Sequence, residues 1–200
     1  MTRSAVFPFV LAVSFVVFSG AFARAVPQGP AAEPSAAAPA PDQARIDRGA
    51  YLVSAMGCND CHTPWVDGPN GPEPDVSRRL SGHPADLVMP PAPSLPEGPW
   101  GWTAAGTNTA FAGPWGVSFT ANLTPDPEVG LGKWTPEMFI ATMKTGRHEG
   151  KGRPLLPPMP YFNLGGLTDD DIRAVFAYLQ SLPPVKNKVP APIDPPESMQ

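Results

Sequence analysis

The pattern of hydrophobic and polar positions is clearest near the end of the chain, where it predicts a helix that begins after Thr168. Apolar residues recur there at helical spacing, namely Ile172, Val175, Phe176, Leu179 and Leu182. Thr168 is a suitable N-cap, and the three aspartates at 169–171 suit the positive end of a helix better than they suit a metal site. Pro183 and Pro184 end the pattern.

An earlier helix is predicted from Asp42, a candidate N-cap, to about Gly57. Its apolar or small positions share one face and are Ile46, Gly49, Ala50 and Val53. Because Gly49 and Ala50 keep this face thin, another helix can approach closely. We expect the last helix to cross here, with contacts made by Val175, Phe176 and Leu179.

A third helix is predicted between Thr135 and Gly146. Thr135-Pro136-Glu137 supplies an N-cap, a proline in the first turn and an acid near the positive helix end. Residues 63–133 show no sustained period and are rich in Gly, Pro and Trp. We expect a long loop with short turns that wraps around something, such as a cofactor.

The two ends of the chain have a different composition from the middle. Arg3 precedes an apolar run too short for a membrane span, and Ala23-Arg24-Ala25 resembles a signal peptidase site, so residues 1–25 predict a signal peptide. An Ala/Pro-rich linker at 26–41, one domain at 42–187 and a Pro-rich tail at 188–200 complete the expected organisation. We expect a periplasmic or otherwise exported protein. The alternative is an anchor retained on the outer face of the inner membrane, and only this anchor would bring the chain to a membrane.

Charge excludes one class of partner. The formal net charge is −4, and loss of the first 25 residues removes two arginines and no acid, which gives about −6. An acidic surface argues against nucleic-acid binding. Thirty prolines with 42% hydrophobic residues indicate a loop-rich globular domain.

The strongest chemical signal is Cys58-Asn59-Asp60-Cys61-His62, a C-x-x-C-H motif. This spacing is typical of covalent haem attachment, in which two thiols add to the haem vinyl groups and the histidine binds iron as proximal ligand. A zinc site would need about four ligands, and the remaining histidines, His83 and His148, come with no second cysteine pair. A thioredoxin-like redox pair would need a βαβ context, which the pattern lacks. The motif predicts one haem c.

Iron needs a second axial ligand, and the candidates are Met56, Met89, Met138, Met143, Met159, His83 and His148. Met159 lies between prolines on a stiff loop just before the last helix, as a distal ligand requires; its alternative role is to fill a gap in the core. His83 and His148 are expected to be exposed loop residues. A His/Met pair fills both axial positions of the iron, which leaves no site for a small ligand and suits electron transfer. The alternatives are a sensor or enzyme with a displaceable distal ligand, or a subunit with a structural haem.

Five further motifs resemble a known family. They are Arg48-Gly49-Ala50-Tyr51-Leu52, Asn122-Leu123-Thr124-Pro125-Asp126, Gly130-Leu131-Gly132-Lys133-Trp134-Thr135, Pro158-Met159-Pro160-Tyr161 and Leu167-Thr168-Asp169-Asp170-Asp171. With C-x-x-C-H, they resemble one haem domain of the cytochrome c subunits of membrane-associated bacterial alcohol, aldehyde and gluconate dehydrogenases, over about residues 45 to 185.

The resemblance implies a mainly helical class I cytochrome c fold with long irregular loops around the haem. It implies thioether bonds at Cys58 and Cys61, iron ligation by His62 and Met159, and a haem-pocket role for Asn122 and Trp134. The chain would be an electron carrier and not an enzyme. Its partners would be a quinoprotein or flavoprotein dehydrogenase and another cytochrome or a terminal oxidase.

Two features stay open. Residues 64–102 do not match the family pattern. The tryptophans are expected to cover the haem and fill the core, with a docking patch as the alternative; they are Trp65, Trp100, Trp102, Trp115 and Trp134.

Overall fold

The structure is a computed structural model that describes residues 41–94 and 98–195. The predicted signal peptide at 1–25, the linker up to residue 40 and the tail from 196 lie outside the described residues. In the part of the chain that is described, no helix has the length and apolar character needed to cross a membrane.

Helices form the framework of the domain, as predicted. They are α1 (Pro41–Ala55), α2 (Cys58–His62), α3 (Pro136–Thr145), α4 (Tyr161–Leu164) and α5 (Asp169–Ser181). The predicted first helix ends at Ala55, two residues before the expected end, and Gly57, whose backbone is left-handed (φ 68°), separates α1 from α2. Asp42 lies inside the first turn of α1 and is not its N-cap, because the helix begins one residue earlier than expected.

The predicted caps of the two later helices are confirmed. Thr135 accepts a hydrogen bond from the backbone N–H of Met138, and Gly146 ends α3 in the left-handed region. Thr168 accepts a hydrogen bond from the N–H of Asp171 at 3.1 Å. Side-chain oxygens of this kind satisfy N–H groups that lack a partner within the helix.

The crossing of α1 and α5 is close, as expected, but at Gly49 it is made by residues of α5 other than those predicted. A Cβ atom at Gly49 would overlap the carbonyl oxygen of Ala174 and approach the Cβ of Tyr178, so the two backbones almost touch. The expected contacts, Val175, Phe176 and Leu179, belong to the buried core cluster, and Ala50 packs against that same cluster. The reason is that α5 turns its small Ala174 toward Gly49, which leaves the large residues of the stripe to fill the interior.

The core lies where α1, α3 and α5 meet. Phe139 of α3 packs against Phe176 of α5 with ring centroids 5.4 Å apart. The other buried members include Leu52, Val53, Leu80, Leu131, Ile172, Val175 and Leu179. Burial of these side chains stabilises the arrangement by roughly 2 kcal/mol for each large apolar residue.

The long middle segment contains short strands as well as turns. Strands β1 (Trp65–Gly68) and β2 (Gly71–Pro74) form an antiparallel hairpin. Strands β3 (Thr103–Ala104), β4 (Ala110–Gly113) and β5 (Gly116–Phe119) form an antiparallel sheet. Each of these strands has four residues or fewer, so none is long enough for alternation to show in the sequence.

Candidate haem-binding site

Helix α2 presents two thiols and an imidazole on little more than one helical turn. Cys58 and Cys61 are unpaired and partly buried, and burial raises the pKa of the Cys58 thiol to about 11. The carbonyl oxygen of Asp60 accepts hydrogen bonds from the indole of Trp65 and the amide of Asn108. Both contacts fix α2 against the segments that follow it.

His62 is held in one orientation by a backbone carbonyl. Its side chain is buried, and Nδ1 lies 2.8 Å from the carbonyl oxygen of Ala121. Because a carbonyl oxygen only accepts, Nδ1 carries the proton, and Nε2 keeps a lone pair for a metal. Burial lowers the pKa of His62, which favours the neutral ring that a metal requires.

The Met159 loop is anchored to the sheet. The hydroxyl of Ser118 in β5 donates to the carbonyl oxygen of Pro157 at 2.6 Å. The carbonyl of Met159 accepts from the N–H of Tyr161 at 2.9 Å, at the start of α4. The Met159 side chain is partly buried and packs against the core cluster, as do Cys58 and Trp134.

One extended segment therefore holds both ligand-bearing loops. Ser118 contacts the Met159 loop, and Ala121, three residues later, accepts the hydrogen bond of His62. Three residues of strand span about 10 Å. The segment 118–121 thus sets the positions of the His62 and Met159 loops relative to each other.

The residues present fit a haem. Cys58 and Cys61 offer the two thiols that haem c requires, and His62 offers a free Nε2. Three buried polar atoms have no hydrogen-bond partner within the described part of the chain; they belong to Ser81, Trp115 and Thr120. Such atoms are rare in protein interiors, and two of these residues, Ser81 and Thr120, adjoin Gly82 and Ala121, which contact His62, so that their hydroxyls could donate to the carboxylates that a haem carries.

Three of the other candidate distal ligands lie in different parts of the fold from the Met159 loop. Met143 is buried in the core, and Met138 lies on α3. Met89 lines an apolar cleft with Phe111, Val117 and Ile193, and the lining of that cleft includes none of the C-x-x-C-H residues. Ligation by Met159 remains a prediction.

The expectation for His83 is wrong. Its ring is fully buried; Nε2 donates to the carbonyl of Leu87, and Nδ1 accepts from the hydroxyl of Thr109. Neither nitrogen is available to a metal. The ring also packs against Phe119. His148, by contrast, is almost half exposed and contacts Trp134 edge to face.

The residues predicted to line the haem pocket have further contacts. The amide nitrogen of Asn122 donates to the carbonyls of Val185 and Asn187, and its oxygen accepts from Thr124. The Asn122 side chain thus joins the loop at 122–124 to the segment at 185–187, and its amide nitrogen and oxygen each make two hydrogen bonds. Trp134 is partly buried beside His148. Haem contact by either residue remains a prediction.

Two of the five tryptophans do not fill the core as expected. The exposed fraction is 71% for Trp100 and 48% for Trp102. They follow the Pro-rich part of the segment 64–102, where little of the chain packs over them. Trp65, Trp115 and Trp134 are at least partly buried.

The segment 64–102, whose role the sequence left open, contributes a wall behind His62. The N–H of Gly82 donates to the carbonyl of His62, the N–H of His83 donates to the carbonyl of Thr120, and the N–H of Leu80 donates to the hydroxyl of Thr63. Leu80, Ser81 and His83 are all buried. Nothing in the sequence indicated this role, because backbone groups make most of the contacts.

A single-turn C-x-x-C-H helix with its histidine oriented through Nδ1 defines the attachment site of a c-type cytochrome. A family model described as cytochrome c matches residues 46–183, and the chain belongs to this family. The predicted mainly helical cytochrome c fold is confirmed.

Three curated relatives are informative. The cytochrome c subunit of the quinone alcohol dehydrogenase of Gluconobacter oxydans is 31% identical over 74% of this chain and 24% of its own length. The gluconate 2-dehydrogenase cytochrome c subunit of Pantoea cypripedii is 29% identical over 72% and 25%. A subunit of the nicotinate dehydrogenase of Pseudomonas putida is 40% identical over 39% and 6%.

These relatives confirm the resemblance to cytochrome c subunits of alcohol and gluconate dehydrogenases. The first two are named as cytochrome subunits, in agreement with the prediction that this chain is not itself the catalytic subunit. The chain spans a quarter or less of the length of the relatives compared.

Proposed function

We propose that the chain is an exported mono-haem c-type cytochrome that carries single electrons. The observation that carries the proposal is the 2.8 Å contact between Nδ1 of His62 and the carbonyl of Ala121. It orients Nε2 of a buried, neutral histidine on the same short helix as the two thiols. Histidines that bind a metal in proteins usually donate their other ring N–H to a carbonyl or carboxylate oxygen, as His62 does here.

Each residue of the site has a role in this proposal. Cys58 and Cys61 form the thioether bonds, His62 is the proximal ligand and Met159 the distal ligand. When bound, haem c supplies an iron that cycles between the ferric and ferrous states. The protein orients His62 through the carbonyl of Ala121. It also holds the sulfur of Met159 in place through a loop that Ser118 anchors.

The proposed location and partners follow the same reasoning. Residues 1–25 direct the chain to the periplasm, where the haem is attached and the electrons are exchanged. The donor is a quinoprotein or flavoprotein dehydrogenase, and the acceptor is another cytochrome or a terminal oxidase. The names of the relatives, which are cytochrome subunits of dehydrogenases, support the donor class.

The test is the visible spectrum of the purified, oxidised holoprotein. Iron bound to methionine sulfur gives a weak far-red band, and we expect this band in the parent protein and its loss in Met159→Ala. Met89→Ala is the matched control, because Met89 lines a separate cleft. Absence of the band from the parent, with carbon monoxide binding to the reduced protein, would instead support a sensor or enzyme with an open distal position.

A further inference from the structure

Positive charge is concentrated in one part of this acidic chain. Residues 133–153 hold five of the fourteen Lys and Arg residues but only two of the eighteen Asp and Glu residues. The chain as a whole has a formal net charge of −4. The segment is therefore locally cationic on a protein that is anionic elsewhere.

The fold gathers these cations on an exposed hairpin and its neighbour. An antiparallel bridge joins Arg147 to Pro154, and the N–H of His148 donates to the carbonyl of Arg153 at 2.9 Å. Arg147, Lys151 and Arg153 are exposed. The edge-to-face contact of Trp134 with His148 brings the exposed Lys133 beside the hairpin.

These charges are not neutralised. Among the described residues, no acidic group lies within ion-pair distance of four of these cations, namely Lys133, Arg147, Lys151 and Arg153. Most other cations of the described chain do form ion pairs, which are Arg48–Asp171, Arg78–Asp75, Lys144–Asp169, Arg173–Asp170 and Lys186–Glu128. The one acid on the hairpin, Glu149, lies beside His148. Unpaired exposed cations produce a positive potential that reaches about 10 Å at ordinary ionic strength.

The hairpin leads directly into the Met159 loop. The N–H of Leu155 donates to the carbonyl of Gly146 at 2.8 Å, and the ring of Tyr161 lies against Gly146. The next residue, Phe162, is 71% exposed and contacts the ring of Tyr161. An exposed aromatic residue thus follows the proposed distal ligand by three positions, and its neighbour Tyr161 packs against Gly146 at the base of the hairpin.

We propose that the cationic surface, defined as Phe162 with Lys133, Arg147, Lys151 and Arg153, docks a redox protein whose contact face is acidic. The inference rests on the proposed function, because the surface gains its purpose from its position next to Met159. An apolar centre with a charged rim is the usual anatomy of an interface. Local positive charge steers an acidic partner toward the haem, although the net charge of the chain would repel it.

An anionic membrane is the other surface that such cations attract. The contacts favour a protein, because Phe162 is the only large apolar side chain of the cationic surface and the helix that carries it, α4, has only four residues. Stable binding of a peripheral protein to lipid requires a wide apolar face in addition to charge.

The first test measures the sign of the charge near the point where electrons leave. Reduced holoprotein is mixed with anionic ferricyanide or cationic tris(phenanthroline)cobalt(III) over a range of ionic strength. Each reaction passes one electron from the ferrous protein to one oxidant, which becomes ferrocyanide or the cobalt(II) complex, with no bond or proton transferred. We expect the ferricyanide rate to rise about tenfold as salt is lowered and the cobalt rate to fall.

Charge reversal locates the effect. Arg147→Glu with Lys151→Glu should remove or invert the ferricyanide response. The control, Arg45→Glu with Lys188→Glu, changes the net charge equally at exposed cations of α1 and the C-terminal segment and should leave the response unchanged. A parent protein that reacts faster with the cationic oxidant at low salt, or equal effects of the two double variants, would overturn the proposal.

The second test distinguishes the kind of partner. A carboxylate-terminated monolayer on gold stands in for an acidic protein face, and phosphatidylglycerol vesicles stand in for a membrane. We expect electron exchange with the monolayer that the hairpin double variant abolishes, and no sedimentation with vesicles. Vesicle binding abolished by the same variant would overturn the protein assignment. The far-red band is recorded throughout, because its absence from the parent would refute the proposed function itself.

Discussion

The hydrogen bond between Ser118 and Pro157 offers a sharp test of how the distal loop is held. Ser118 is buried, and its hydroxyl lies 2.6 Å from the Pro157 carbonyl, two residues before Met159. In Ser118→Ala the carbonyl loses this partner inside the protein. Loss of a buried hydrogen bond costs about 1 to 1.5 kcal/mol, which corresponds to roughly a tenfold change in an equilibrium constant.

We therefore expect Ser118→Ala to raise the population in which Met159 is detached by about five- to tenfold. Imidazole binds iron only in that population, so its apparent affinity should increase by the same factor, measured as loss of the far-red band during a titration. Ser181→Ala is the control, because Ser181 donates a similar hydrogen bond to the carbonyl of Tyr178 on α5, away from the loop. Equal imidazole affinity in parent and Ser118→Ala would refute the anchoring role.

Three further substitutions test the framework. Gly49→Ala should destabilise the fold by about 1 to 3 kcal/mol in urea unfolding, because its Cβ would overlap the carbonyl of Ala174. The control Gly106→Ala, with open space around the added Cβ, should not. Equal stabilities of the two variants would contradict the close crossing of α1 and α5. His83→Leu should cost about 2 to 4 kcal/mol yet keep the far-red band, whose loss would show that His83 acts at the iron. Burial lowers the pKa of His83, so the neutral ring favours the folded state. This contribution to the free energy of unfolding is complete above the unfolded pKa of about 6.5 and declines as the pH falls below it. His83→Leu should therefore make the stability less sensitive to acid when unfolding is measured over a pH series. Thr168→Ala should cost about 1 kcal/mol by removing the N-cap of α5, and an unchanged midpoint in the same assay would contradict the cap.

Local signals made the helices predictable from the sequence. Thr135 and Thr168 act on N–H groups three residues away, and the stripe of α5 repeats within one segment. The C-x-x-C-H motif was equally local, since both thiols and the imidazole lie within five residues. Interactions of this kind depend little on the rest of the fold.

Contacts between distant segments explain what the sequence did not show. The partner of His62 is a carbonyl 59 residues away, and every residue carries the same backbone group, so nothing marks Ala121 in advance. His83 looked like a loop residue because its partners, Thr109 and Leu87, come together only in the fold. Gly49 was recognised as a close-approach site, but which residue of α5 faces it depends on helix rotation.

Covalent attachment of one haem to Cys58 and Cys61 is the central claim of the account. The most direct measurement is the intact mass, under denaturing conditions, of the chain secreted by cells that can mature cytochromes c. We predict a mass equal to residues 26–200 plus one haem, and a haem-free mass in Cys58→Ala with Cys61→Ala. A parent chain that loses its haem on denaturation, or never carries one, would contradict the account.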